Sequence, residues 1–229
     1  MTPLVTRATP LREGERMDAD EFMRRYERMP EGVRAQLIEG VVHVPPPASG
    51  DDHGQPQSEL NYLMVCYQRH TPGVLVYTAS TVRLGRGDVP EPDLAMRVMS
   101  GGLSRMVGGY ITGPPELATE IAASSDSVDR NAKLRAYQEA GIPEYIIWRT
   151  LRRLLEWHAL DGGIYAPLPP GPDGILRSGV FPGFWLDPAA LLARDAARSD
   201  AVLARGIASP EHAAFVARLR AAMEAEGRP

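Results

Sequence analysis

The chain has 229 residues, of which 44% are hydrophobic and 24% are charged. This length and composition are typical of a globular protein with one sizeable core and exclude a chain that stays disordered for lack of apolar residues. The net charge of -4 excludes a global positive field that attracts nucleic acid, so any polyanionic partner requires a local basic patch.

The single cysteine, Cys66, excludes a disulfide within the chain. Because it lies among apolar neighbours, it is interpreted as a small buried hydrophobic residue rather than a catalytic thiol. Residues 1–22 lack the continuous apolar run of an export signal, and no window of about 18 apolar residues occurs. These features predict a cytoplasmic protein that does not enter a membrane.

The first elements are an irregular arm, a helix and a hairpin. The arm is predicted over residues 1–17, where Pro, Thr and Arg mix without a period. Asp18 and Glu21 have the spacing of a capping box, which predicts a helix that begins there and ends at Pro30. The segment RAQLIEGVVHV then predicts two short strands around a glycine, followed by a stiff loop, PPPASGDD.

A core helix and four strands are predicted in the middle of the chain. The helix extends from His53 to His70, and its apolar residues recur at helical spacing. These residues are Leu60, Leu63, Met64 and Tyr67. The strands are GVLVYTAS, TVRLG, PDLAMRV and ELATEIAA, and a flexible glycine-rich loop over residues 98–113 precedes the fourth.

The second half alternates again between helix and strand. SVDRNAKLRAYQEAG predicts a helix that stops at Gly141, followed by the strands PEYIIWRT, RLLEWHAL and GIYAPL, the last two joined at DGG. An extended segment and the short helix PAALLARD come next. From Ser209 an amphipathic tail helix is predicted. Its apolar stripe comprises Ala213, Val216, Leu219 and Ala222 or Met223.

This order of elements predicts the α/β class, with a mixed central β-sheet flanked by helices. The main domain is predicted over residues 18–195, and residues 196–229 are predicted to form a C-terminal helical extension.

Two carboxylates and a lysine are candidates for chemistry. Asp93 begins one predicted strand and Glu120 lies inside another, where an unpaired carboxylate is costly to bury. Lys133 stands on the helix that follows the second strand and can return across the sheet toward Glu120. Such a set supplies oxygen ligands for Mg²⁺ and a cation near an attacked group. The structural alternatives are a turn role for Asp93 and a solvated helix face for Lys133.

Five ordered segments resemble the Uma-type putative restriction endonuclease family, a branch of the PD-(D/E)XK nuclease superfamily. They are LIEG (37–40), DDHG (51–54), PDLAM (92–96), TEIAASS (119–125) and DRNAKLRAYQEAGIPEYIIW (129–148). The likeness continues into the tail SPEHAAFVARL. It implies a restriction-endonuclease-like fold, and kinship determines a fold more firmly than an activity.

The resemblance assigns the superfamily's Pro-Asp to Pro92 and Asp93 and its second acid to Glu120. Two positions after Glu120 stands Ala122 instead of the usual lysine, so Lys133 is the implied replacement. The family's ELIDG segment is QLIEG here, with Gln36 at its first acidic position and Glu39 at its second. His53 matches a histidine that opens the family's first long helix. Glu91, two residues before Asp93, is a further acid that can lie near the metal.

The implied activity is hydrolysis of DNA phosphodiester bonds by a Mg²⁺-dependent endonuclease, with Mn²⁺ as the alternative metal. Asp93 and Glu120 are expected to hold the metal, and Lys133 to orient the attacking water or stabilise developing charge. His53 or Glu39 is expected to complete the metal shell or to shuttle a proton. Without metal, repulsion between the two carboxylates is expected to raise one pKa. A homodimer is expected, because cutting both strands of a duplex suits two symmetric sites.

Two other functions fit the same pattern. One is a non-catalytic relative that binds nucleic acid or protein and keeps its acids as a structural network; the other is a hydrolase acting on a different phosphoester. Arg97, Arg105 and Arg130 are either solvated charges or the basic patch that a DNA substrate requires. His43 and His158 have no metal-ligand spacing, so a zinc site is not predicted.

Overall fold

The computed structural model describes residues 9–30, 32–85, 87–123 and 127–227, without the side chains of residues 127–130. Residues 1–8 of the predicted arm therefore lie outside the described part. The helices are α1 (Ala19–Tyr26), α2 (Gln55–His70), α3 (Ser127–Ala140), α4 (Pro188–Ala193), α5 (Ala196–Ile207) and α6 (Pro210–Ala225), and a π-helical turn (Gly50–Gly54) leads into α2.

The strands form a central sheet and three smaller sheets. They are β1 (Gln36–Ile38), β2 (Val41–His43), β3 (Val74–Thr78), β4 (Val82–Arg83), β5 (Leu94–Val98), β6 (Arg105–Val107), β7 (Tyr110–Thr112), β8 (Leu117–Ala122), β9 (Glu144–Arg149), β10 (Leu154–Asp161), β11 (Ile164–Pro167), β12 (Leu176–Arg177) and β13 (Trp185–Leu186). The central sheet has the order β11-β10-β9-β8-β5-β3. Its β8–β9 pair is parallel and its other pairs are antiparallel. The predicted mixed sheet flanked by helices is thereby confirmed.

The two faces of the central sheet are covered by different helices. Alternate residues of β5 and β8, such as Met96 and Leu117, join α2, α5 and α6 in the largest hydrophobic cluster. The opposite face carries Ala118 of β8, which clusters with Tyr137 of α3 and Tyr145 of β9. Because side chains alternate along a strand, Glu120 lies on the α3 face together with Ala118. Helix α3 therefore covers the face that carries the predicted second acid.

Local signals explain where several elements begin and end. Asp18 caps α1 by accepting the amide hydrogen of Glu21 at 2.8 Å, as predicted. The helix ends at Tyr26 instead of Pro30, because a proline disfavours helical backbone before it and the chain tightens into short turns there. Gly162 and Gly163 join β10 and β11 with φ angles of 56° and 85°, which matches the predicted DGG hairpin.

The predicted flexible loop over residues 98–113 is wrong. Its second half is the hairpin β6–β7, which pairs with β4 in a three-stranded sheet. Gly108 and Gly109 form the turn with φ angles of 59° and 88°, values that suit a two-residue hairpin. The Gly-Gly pair between short β-prone segments is the sequence signal that the loop prediction overlooked.

The buried stripe of the tail helix includes Leu219 of the predicted stripe but is otherwise rotated away from it. His212, Phe215 and Leu219 are buried, whereas Ala213 is exposed. The bulky Phe215 has more apolar surface to remove from water than an alanine, so it sets the rotation of the helix. His212 Nε2 lies 2.9 Å from the hydroxyl oxygen of Thr71 and ties α6 to the end of α2.

A buried carboxylate at the start of β9 anchors the segment that follows β12. Glu144 is 1% exposed and accepts hydrogen bonds from the Ser178 hydroxyl, the Trp157 indole and the amides of Gly179 and Val180. Burial raises the pKa of Glu144, and these donors oppose the rise. The Glu144 carboxylate therefore supplies acceptors for the amides of Gly179 and Val180, which lie outside any strand.

Replacing Glu144 by Ala is expected to lower the free energy of unfolding by about 3 kcal/mol, because it leaves several buried donors without an acceptor. Denaturant titration of the variant measures this loss. Glu144→Gln should recover part of it, since the amide oxygen still accepts. Equal stability of Glu144→Ala and the unmodified protein would contradict the anchoring role.

Within the residues that the structure describes, no helix has both the length and the apolar character needed to cross a membrane.

Candidate active site

Strand register brings the two predicted acids to adjacent positions. Leu94 of β5 faces Thr119 of β8 in an antiparallel pair. Asp93 directly precedes Leu94, and Glu120 directly follows Thr119, so they occupy the next paired position. β5 begins at Leu94 instead of Asp93, because the carboxylate of Asp93 takes the place of backbone pairing there.

Asp93 is 6% exposed and each of its carboxylate oxygens has a partner. Oδ2 accepts the amide hydrogen of Ile121 at 2.7 Å, and Oδ1 lies 3.2 Å from Nε2 of His53. The turn role considered for Asp93 is therefore wrong: its side chain extends the contact between two central strands and faces a histidine.

Glu120 is held by two side chains of α3. Its Oε2 accepts from Nζ of Lys133 at 2.9 Å, and its Oε1 accepts from the hydroxyl of Tyr137 at 2.7 Å. Burial raises the pKa of Glu120 to about 7; Lys133 and Tyr137 oppose this rise, and the charge of Asp93 adds to it. A raised carboxyl pKa matches the expectation from repulsion, although burial is its main cause.

Lys133 is not on a solvated helix face. It is 8% exposed, and its ammonium group points at the sheet instead of the solvent. The crossover connection explains this position, because α3 joins the parallel strands β8 and β9 and so lies against Glu120. The structure thus brings Lys133 and Glu120 together across 13 residues of chain, as the sequence predicts.

His53 lies in the π-helical turn before α2, next to Asp93. The hydrogen bond to Asp93 raises the pKa of His53; burial opposes this rise, and the charges of Asp93 and Glu120 add to it. Its Nδ1 is buried and has no hydrogen-bond partner among the described residues. An imidazole with Nε2 on a carboxylate and a raised pKa is suited to hold a proton.

The other acids of the predicted set lie apart from this contact. Glu39 is on the surface, where both its oxygens accept from Arg135 of α3 at 2.7 and 3.1 Å. Glu91 is buried and pairs with Arg34. Gln36, at the acidic position of the QLIEG segment, is also buried, with its Oε1 3.5 Å from the amide of Glu91. No contact in the described part of the chain joins Glu39 to Asp93.

Of the three arginines considered as a basic patch or as solvated charges, Arg97 fits neither interpretation. Arg97 is 5% exposed and donates to the hydroxyl and the carbonyl of Ser104, so it is neither solvated nor free for a partner. Arg105 is exposed on β6. The side chain of Arg130 lies outside the described residues.

Tyr137 is a site residue that sequence analysis missed. Its hydroxyl donates to Glu120, and the centroid of its buried ring lies 5.0 Å from that of Tyr145. Lys133 and Tyr137 are four residues apart, a spacing that places both side chains on one side of a helix. That spacing was the available signal.

The donor chemistry of the site fits a magnesium ion. Mg²⁺ is commonly bound by one or two carboxylates, several waters and the phosphates of a substrate. Asp93 and Glu120 supply such a pair from adjacent strand positions. Within the described residues, no group of three or more His, Cys, Asp or Glu side chains is arranged so that it could hold a metal ion.

Comparisons with known proteins identify relatives of the chain by fold and by sequence. The chain is similar to the crystal structure of "a putative nuclease belonging to DUF820" from Anabaena variabilis, with a TM-score of 0.60 and 16% identity over 77% of this chain and 98% of that chain. This similarity shows the shared fold. No curated protein matches the sequence. A family model, Uma2, described as "Putative restriction endonuclease", matches residues 19–189 and includes Asp93, Glu120 and Lys133. The chain therefore belongs to the Uma2 family.

Proposed function

We propose that the protein is a Mg²⁺-dependent endonuclease that hydrolyses DNA phosphodiester bonds. The observation that carries the proposal is the packing of Asp93 and Glu120 on adjacent strands with Lys133 2.9 Å from Glu120. Membership of the Uma2 family supports the reaction class. Burial of ionisable groups with a raised carboxyl pKa is also a common property of catalytic sites.

Asp93 and Glu120 are the residues that would hold the metal, through their carboxylates. When bound, Mg²⁺ supplies positive charge that polarises the phosphoryl oxygens and favours ionisation of an attacking water. Lys133 lies beside Glu120. During the reaction its ammonium group can turn from this carboxylate toward the charge that develops on the phosphoryl group. Tyr137 keeps Glu120 oriented while this exchange takes place.

His53 is assigned a proton-transfer role instead of metal binding. A histidine ligand must be neutral, whereas the contact between Nε2 and Asp93 favours the protonated imidazole. A protonated His53 beside the metal carboxylate can donate to the oxygen that leaves phosphorus. Glu39 is expected to stay outside the reaction because Arg135 occupies both its oxygens.

DNA is the proposed substrate and a homodimer the proposed assembly. Asp93 and Glu120 occupy paired strand positions and Lys133 contacts Glu120. A single site built from these residues would address one strand at a time. A symmetric pair of chains would present two such sites to the two strands of a duplex.

The test is cleavage of supercoiled plasmid DNA with Mg²⁺, with Mn²⁺ and with EDTA, alongside calorimetric titration of Mn²⁺. We expect nicked and linear products only with metal, and one metal-binding event per chain. A folded preparation that neither cleaves DNA nor binds metal would overturn the proposal.

The affinity for Mn²⁺ is expected to increase with pH. Metal binding requires Glu120 as a carboxylate, and its pKa is raised to about 7. The ionised fraction therefore rises about tenfold between about pH 6 and about pH 8, and the apparent Kd should fall by a similar factor. Calorimetry at both pH values measures this change, and Glu120→Gln should remove most of it.

The second candidate is a non-catalytic binding protein with the same fold. The observation that favours it is that both oxygens of Glu120 already have partners, Lys133 and Tyr137, so the acid also serves as a structural link. This alternative predicts DNA or protein binding that is insensitive to Mn²⁺ in the experiments above.

A further inference from the structure

A second buried carboxylate lies two residues before Asp93 and is paired with a half-exposed arginine. Glu91 has a side chain that is 8% exposed, and its Oε1 accepts from Nε of Arg34 at 2.6 Å. The hydroxyl of Tyr26 lies 3.4 Å from Oε2. Burying a carboxylate is costly unless it is paired, and Arg34, whose side chain is 45% exposed, supplies the pairing charge. The ion pair therefore fixes the position of the Arg34 guanidinium as well as offsetting the buried charge of Glu91.

Backbone contacts place this pair at the edge of the candidate active site. Leu37 bridges Val89, so the segment that carries Arg34 runs beside the segment that carries Glu91 and Asp93. Glu91 lies two residues before Asp93, and Nε of Arg34 is 2.6 Å from its carboxylate. Arg34 is thereby held beside the segment that leads into Asp93.

The contact with Glu91 leaves the outer part of the guanidinium available. Only Nε of Arg34 donates to Glu91, and in the described part of the chain its two terminal amino groups make no hydrogen bond. A guanidinium presents parallel donors that match two oxygens of a phosphate. With Nε held by an inner carboxylate, this fork is oriented before any ligand arrives, so less conformational entropy is lost on binding.

A nucleic acid that approaches the candidate active site needs a nearby cation, because its phosphates and the acids of the site repel each other. Glu91 and Asp93 lie in the segment that leads into β5, and Asp93 occupies the position paired with Glu120 of β8. Arg97 is buried in contacts with Ser104. Lys133 is engaged with Glu120 inside the site. Arg34 is an exposed charge that Glu91 holds beside these acids, where it can offset their repulsion of a nucleic-acid backbone.

We propose that Arg34, aligned by Glu91, binds a backbone phosphate next to the phosphodiester that Asp93 and Glu120 address. This inference rests on the proposed function and adds to it a substrate contact, because it assigns the phosphate-binding residue at the mouth of the site. Glu91 is a positioning residue that acts through Arg34. Since the contact is with phosphate, it is independent of base sequence.

The test is the salt dependence of DNA binding by the double variant Arg34→Gln with Glu91→Gln. This variant leaves no unpaired buried carboxylate and keeps the net charge unchanged, so a general charge effect is excluded. Fluorescence anisotropy with a labelled random-sequence duplex, with Ca²⁺ in place of Mg²⁺ and the duplex checked for integrity, gives Kd at several salt concentrations. We expect roughly fivefold weaker binding and a slope of log K against log salt that is smaller by about 0.9.

The matched control is Arg198→Gln with Asp187→Asn. Arg198 also donates through Nε, at 2.5 Å, to a buried carboxylate, with side chains that are 57% and 2% exposed. The pair therefore has the same architecture, and the control also preserves net charge. We expect an unchanged slope in this control and thermal stability close to that of the unmodified protein in both variants.

The outcomes separate the two proposals. Salt-dependent binding by the unmodified protein, with an unchanged slope in the Arg34 variant or an equal loss in the control, would overturn the role of Arg34 and leave the nuclease proposal in place. Absence of salt-dependent DNA binding by the unmodified protein would overturn both. Arg34→Lys provides a second readout: it keeps the charge but not the fork, so the slope should persist while affinity falls.

Discussion

The substitution Asp93→Asn is expected to reduce Mg²⁺-dependent DNA cleavage by about three orders of magnitude or more, because metal-assisted charge stabilisation contributes several kcal/mol to such reactions. The asparagine oxygen can still accept the amide hydrogen of Ile121, so the β5–β8 contact is retained. Its amide nitrogen then faces Nε2 of His53, which can respond by accepting in its neutral form. The measured quantities are the single-turnover cleavage rate and the calorimetric Kd for Mn²⁺.

The control for this prediction is Asp88→Asn. Asp88 also accepts a backbone amide, that of Glu39 at 2.7 Å, but in the loop before β5. The Asp88→Asn variant should lose about as little stability as Asp93→Asn, and it should retain cleavage. Cleavage by Asp93→Asn at a rate close to that of the unmodified protein would show that Asp93 does not hold the metal.

The substitution Lys133→Met is expected to destabilise the protein by about 3 kcal/mol at about pH 8 and by much less at about pH 5. Burial already raises the pKa of Glu120 from the ordinary value of 4.5 to about 7. At pH values between these two, Glu120 therefore keeps its proton in the folded protein but loses it in the unfolded chain. Stability therefore decreases as pH rises through this window. Without Lys133 the pKa rises further and the decrease becomes larger. Denaturant titrations at the two pH values measure the difference.

Two further variants test the cause of this effect. The double variant Lys133→Met with Glu120→Gln should remove most of the pH dependence, because no buried carboxylate remains to be ionised. Arg135→Met, two residues further along α3, breaks a surface ion pair with Glu39 and should cost under about 1 kcal/mol at either pH. An equal cost of Lys133→Met at both pH values would contradict the ion-pair explanation.

Sequence reasoning predicted the elements whose signals are local. The capping box at Asp18 and the apolar spacing of α2 led to correct elements because neighbouring residues alone determine them. The β6–β7 hairpin was missed because its strands are three residues each and its glycines were interpreted as flexibility. The stripe of α6 was misassigned because a single large side chain, Phe215, outweighs several alanines in choosing the buried face.

The site was predictable to the extent that strand register and a crossover helix determine it. The antiparallel β5–β8 pair sets Asp93 opposite Glu120. The connection from β8 through α3 to β9 then lays the helix that carries Lys133 over Glu120. The partners that hold them were not predictable in the same way. The contact between Glu91 and Arg34 joins residues 57 positions apart, and nothing in either local sequence indicates it. Long-range pairing of side chains depends on the packed fold as a whole.

The hydrogen bond from the Ile121 amide to Asp93 has an evolutionary consequence. Because Asp93 closes the end of a strand pair, selection for folding alone would retain an acceptor there after the loss of catalysis. Lys133 and Glu120 are different, since they could be replaced jointly by apolar residues of similar volume at little cost to stability. Among descendants of such a protein, the joint presence of Lys133 and Glu120 is therefore a better marker of retained activity than Asp93.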